Sequence, residues 1–128
     1  MNKSVGDVVS ALVKQVIEGK ALYDMPIGLH EINNGYCEEF AYALKNKLRG
    51  GFVVDTPLGG EFPTHSFLKY RGKYYDAELP DGTPDPINLP IFARFHARYP
   101  NRRLVTNESS HTSKYGVSRK EWMEKYFG

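Results

Sequence analysis

Three side chains able to act together lie at Cys37, His65 and Asp76. Cys37 is the only cysteine in the chain. Downstream of it, Phe40, Ala41, Leu44 and Leu48 recur at helical spacing. Asn33, Asn34 and Gly35 before it are helix-start or turn residues. This pattern predicts Cys37 in the first turn of an amphipathic helix. Unpaired backbone N–H groups and the positive end of the helix dipole point there, and both favour the nucleophilic thiolate. A lone cysteine is more often a small buried residue, so a catalytic reading needs a base from elsewhere in the chain.

The second stretch supplies one. Two β-rich runs flank Arg71-Gly72 between Thr64 and Glu78, which reads as a hairpin. With Arg71-Gly72 as a two-residue loop, Tyr70 pairs with Lys73 and Phe67 with Asp76. Side chains alternate faces along a strand, so His65, Phe67, Lys69, Tyr74, Asp76 and Glu78 share one face. His65 is then the diagonal neighbour of Asp76, with Glu78 opposite His65 as a rival partner. A one-residue slip in register would separate the pair.

Each member of this set has its own task. The thiol needs a base or a cationic neighbour to ionise at neutral pH. Histidine provides it and can later protonate a leaving amine. A carboxylate fixes the imidazole tautomer and stabilises the imidazolium. A Cys/His metal site would need further ligands, and Cys37 and His65 have no obvious ones at recognisable spacing; this thiol chemistry itself calls for no metal or organic cofactor.

The elements that must position these groups are ordinary. Ser4 and Asp7 form a capping box ahead of Val5, Val8, Val9, Leu12, Val13 and Val16, and Gly19 ends that helix. Residues 20–36 read as irregular; His30 and Glu31 lie there, close in sequence to Cys37, and His30 reads as an exposed loop residue. The Cys37 helix runs to about Leu48 and stops at Gly50-Gly51, and Phe52-Val53-Val54 is a core strand. A turn follows at Thr56-Pro57-Leu58-Gly59-Gly60. Pro80, Pro84, Pro86 and Pro90 exclude an interior strand or a helix after Glu78. Residues 91–99 fit a short helix or a strand equally well. Residues 106–116 read as a loop containing His111, and Ser118 with Glu121 begins a last helix.

The length of 128 residues suits one domain, 1–128, with a core at about 30–80 and a basic extension at about 94–128. The single cysteine excludes an intramolecular disulfide, and a reducing cytoplasm is the expected setting. No run of about 18 apolar residues is present, so no membrane span is expected. Residues 1–93 carry nine Lys/Arg and twelve Asp/Glu, whereas residues 94–128 carry eight and three. Arg94, Arg98, Arg102 and Arg103 could dock an acidic partner. Such charges are usually a solvated face, so nucleic acid is not expected.

The segment from Gly35 to Ala41, followed by Leu44, Leu48-Arg49 and Gly51, resembles the nucleophile helix of the transglutaminase-like superfamily, within the papain-like cysteine-peptidase fold. His65-Ser66-Phe67-Leu68 and Gly72-Lys73-Tyr74-Tyr75-Asp76 resemble its histidine and aspartate strands. The resemblance covers roughly residues 33–78. It implies an α+β fold with the Cys37 helix packed on a small antiparallel sheet. It implies Cys37 as nucleophile, His65 as general base and acid, and Asp76 as the orienting group. The oxyanion hole would combine the Cys37 N–H with a side chain just before it, for which Asn33 and Asn34 are the candidates. The implied function is a thiol-dependent amide-bond enzyme, a cysteine peptidase or amidase acting on a protein or peptide. A transglutaminase or deamidase is the nearest alternative. A non-catalytic module binding through the basic C-terminal region is a third reading.

Overall fold

In a computed structural model, residues 4–20, 26–56 and 65–101 and the backbone of 107–108 are described. Among these residues, four α-helices and an antiparallel sheet of four main strands with a short fifth at one edge make an α+β architecture. The helices are α1 (Val5–Ile17), α2 (Leu29–Asn34), α3 (Cys37–Leu48) and α4 (Pro90–Arg98). The strands are β1 (Phe52–Thr56), β2 (His65–Tyr70), β3 (Lys73–Asp76) and β4 (Leu79–Thr83), in the order β4-β3-β2-β1. A two-residue strand, β5 (Asn107–Glu108), extends the β1 edge.

Helix α1 starts as its capping box dictates. The Ser4 hydroxyl accepts from the Asp7 N–H at 3.1 Å, and the Asp7 carboxylate accepts from the Ser4 N–H at 3.4 Å. Ser4→Ala is expected to cost about 1 kcal/mol, read as a lower urea midpoint at unchanged slope. An unmoved midpoint would mean that this cap does not stabilise the fold. Val9, Leu12 and Val16 face the core, and α1 packs against α3 and β4. Helix α3 ends at Arg49, which takes the left-handed conformation at φ 57° just before Gly50-Gly51.

Strand alternation gives the sheet two apolar faces. Val53, Leu68 and Tyr75 pack with α1, α2 and α3. Val54 and Phe67 pack on the opposite face with Leu89, Ile91, Phe92 and Phe95 of the α4 region. The β2–β3 register is Tyr70 with Lys73, Lys69 with Tyr74 and Leu68 with Tyr75. Positive φ at both Arg71 (49°) and Gly72 (80°) gives the loop the backbone twist that a two-residue hairpin needs.

Three stretches depart from the sequence reading. Helix α2 occupies part of the region read as irregular, and Asn33 and Asn34 end it rather than lead into α3. Strand β4 forms despite Pro80, because it is the edge of the sheet and the missing N–H costs no ladder bond there. The ambiguous segment at 91–99 is helical, with Pro90 at its first position. Most of the turn after Thr56, together with Arg102, Arg103, His111 and the last helix, lies outside the described residues. No helix among the described residues is long and apolar enough to cross a membrane.

Candidate functional site

Cys37 is the first residue of α3, and His65 is the first residue of β2. The two meet where the N-terminus of α3 reaches the sheet. The Ser66 N–H donates to the Cys37 sulfur at 3.4 Å. Cys37 is 8% exposed and His65 is fully buried. Phe67 stacks on the imidazole at 5.6 Å between ring centres, and Phe92 of α4 meets it edge-on at 5.5 Å. The ring is thus fixed by aromatic packing as well as by its polar partner.

That partner is Asp76, at the end of β3. The distance from His65 Nε2 to Asp76 Oδ2 is 3.0 Å. Because β3 stops at Asp76 and the chain turns through Ala77 and Glu78, Glu78 does not come to lie opposite His65. The same turn directs the Glu78 and Leu79 N–H groups onto Asp76 Oδ1, at 2.9 and 3.0 Å. Asn33 Nδ2 donates to Asp76 Oδ2 at 3.3 Å. Together with His65, these donors hold the buried carboxylate in place.

Burial by itself disfavours a charged imidazole. Here the Asp76 carboxylate and the Cys37 sulfur outweigh that penalty, and the His65 pKa rises from 6.5 to about 9. His65 Nδ1 is buried, and Cys37 acts on the ring as its second polar neighbour. With Nε2 committed to Asp76, Nδ1 is the nitrogen left to exchange a proton with the thiol.

The two oxyanion candidates go elsewhere. Asn33 is 1% exposed, and its amide donates to Glu78 Oε1 at 2.7 Å as well as to Asp76. Asn34 Nδ2 donates to the His30 carbonyl at 2.8 Å on the exposed side of α2. Arg94, read as solvated or partner-facing, instead forms a two-armed pair with Glu78 at 2.7 and 2.9 Å. Arg98 is exposed on α4.

Three contributors to the site escaped the sequence reading. One is the Ser66 N–H at the sulfur. Another is Asp55, whose Oδ1 accepts from the Ser66 hydroxyl at 2.6 Å across the β1–β2 pairing. The third is Thr56, fully buried opposite His65, with a hydroxyl that has no hydrogen-bond partner among the described residues. Their only available signal was the β1–β2 register, which the sequence leaves open because an eight-residue connection (57–64) separates the strands.

Among the described residues, no group of three or more His, Cys, Asp and Glu is arranged to hold a metal ion. The chemistry available is that of a thiol beside an imidazole backed by a carboxylate. No family model, curated protein or solved structure matches the chain.

Proposed function

We propose that the chain is a thiol-dependent amide-bond enzyme with a transglutaminase-like, papain-like core, and that it acts as a peptidase or amidase on a protein or peptide. The observation that carries this reading is the 3.0 Å His65–Asp76 contact, with the other imidazole nitrogen left to Cys37. His65 takes the Cys37 proton, and the thiolate attacks the substrate carbonyl carbon. A C–S bond forms, and the negative charge moves to the carbonyl oxygen. As that charge collapses back, the C–N bond breaks and His65 gives its proton to the leaving amine. A water molecule, deprotonated by His65, then attacks the thioester and restores the thiol. Asp76 keeps the imidazole oriented and stabilises its charged form throughout. The Cys37 N–H at the start of α3 is one donor for the oxyanion.

Transglutaminase and deamidase chemistry share the first half of this sequence and differ in what resolves the thioester. Incubating the protein with a denatured protein mixture and a biotin-tagged primary amine separates the three. New N-termini are the expected result. Amine incorporation would mean acyl transfer, and conversion of glutamine to glutamate would mean deamidation. If wild type and Cys37→Ser produce identical mixtures, amide-bond chemistry on protein substrates is wrong. The burial of Cys37 favours one competing reading, a binding module with an inert core thiol. That reading predicts slow, His65-independent reaction with iodoacetamide.

A further inference from the structure

The Asp76 carboxylate is tied to the surface by a line of contacts that the three-residue chemistry does not itself require. Asn33 Nδ2 has two hydrogens and two carboxylate acceptors, Asp76 Oδ2 at 3.3 Å and Glu78 Oε1 at 2.7 Å. Glu78 in turn receives both arms of Arg94, Nη2 on Oε1 at 2.7 Å and Nη1 on Oε2 at 2.9 Å. The line runs from α4, through the β3–β4 turn and the end of α2, to the end of β3 and the imidazole. Its outer end, the Arg94 side chain, is 47% exposed, while His65 is fully buried.

The geometry constrains as well as connects. A two-armed guanidinium–carboxylate pair fixes the plane of the carboxylate, which a single contact does not. With its plane fixed, Glu78 Oε1 fixes one hydrogen of the Asn33 amide, and the other hydrogen then points at Asp76. Two carboxylates sharing one amide would otherwise repel each other, and Arg94 supplies the compensating charge. We propose that Arg94, Glu78 and Asn33 are positioning residues, in which the Arg94–Glu78 pair locks the Asn33 amide and the locked amide holds Asp76 against His65. This rests on reading Cys37, His65 and Asp76 as the reacting set.

Charge travels along the same line. The Glu78 carboxyl is held below its usual range, first by Arg94 and also by Asn33 and the His65 charge. The polar groups around His65 are Cys37 from α3, Asp76 from β3, Glu78 from the turn and Thr56 from β1. Asp55 of β1 acts through Ser66, and Arg94 of α4 acts through Glu78. Glu38 and Glu39 share the first turn of α3 with Cys37.

The test uses the full chain, an NMR titration of His65 and the rate of Cys37 alkylation by iodoacetamide. Glu78→Gln removes a negative charge, so the His65 midpoint should fall. Arg94→Gln leaves Glu78 uncompensated, so the midpoint should rise, by roughly half a pH unit in each case. In the double variant the two charge effects cancel, so its midpoint should return towards wild type while its alkylation stays slow, because the lock is still absent. In Arg94→Gln the charge left on Glu78 would by itself favour a thiolate–imidazolium pair. Slower alkylation despite a raised midpoint, by about 3- to 10-fold at pH 6.5, is therefore the mark of lost positioning. A purely structural role would move both midpoints the same way or not at all. Unchanged alkylation in a folded Arg94→Gln protein overturns the proposal while leaving the reacting set intact. A wild-type protein with slow, His65-independent alkylation overturns the reading of the set itself. Arg94 is exposed, so its variant decides the matter if Glu78→Gln fails to fold.

Discussion

His65→Ala should slow alkylation of Cys37 by iodoacetamide about 10- to 100-fold at pH 6.5. An ordinary thiol is only about 1% ionised at that pH. A thiolate paired with an imidazolium is largely ionised, which sets the upper figure. A stabilised thiolate is also a weaker nucleophile, which offsets part of the gain. The buried His65–Asp76 contact is the observation behind the expectation, because a ring whose pKa that carboxylate and the Cys37 sulfur raise to about 9 stays protonated well above neutrality. Asp76→Ala should give a smaller loss, because the imidazole remains but loses its orienting acceptor. Alkylation rates equal to wild type in both variants would mean that Cys37 draws no activation from the imidazole.

The second large effect is on stability against pH. The His65 pKa is raised in the folded protein, from 6.5 to about 9. The folded state therefore binds this proton more tightly than the unfolded chain does. The stabilisation is fully present below about pH 6.5 and is lost as pH rises through about 9. Its size is up to about 3 kcal/mol from the shift. For a chain of this length that is roughly 10 °C in Tm. Wild-type Tm should therefore fall between pH 6.5 and 9.5 by more than the Tm of His65→Ala does. Asp76→Asn, which keeps the shape but removes the charge, should flatten the same slope. Calorimetry across that range checks both, and parallel curves for wild type and His65→Ala would contradict the coupling.

Much of this arrangement is legible in local sequence. The Ser4–Asp7 capping box and the valine stripe specify α1 without help from the rest of the chain. The Cys37 helix begins at the cysteine itself. Arg71-Gly72 sets the hairpin register, and that register brings His65 within reach of Asp76. These are short-range signals with a fixed period or a fixed turn.

What was not legible depends on distant partners. Whether Glu78 or Asp76 receives His65 turns on β3 ending at Asp76, and the hairpin pattern does not announce that end. Asn33 reads as a turn residue, yet its role comes from carboxylates 43 and 45 residues away. Arg94 reads as a solvated charge until α4 is folded over the sheet and Glu78 comes within 2.9 Å. Pro80 argues against a strand only if the strand is interior, and nothing local tells an edge from a centre.

The proposed mechanism requires that Cys37 form and release a thioester with help from His65. It is tested most directly by intact-protein mass after mixing with p-nitrophenyl acetate at pH 6.5, followed over time. The expected result is rapid addition of one acetyl group at Cys37 in the wild type, then its loss as the thioester hydrolyses. Cys37→Ser should gain no comparable adduct, and His65→Ala should acylate slowly and retain the group. Acylation that is equally slow in wild type and His65→Ala would contradict the claim and leave a folded scaffold with an inert thiol.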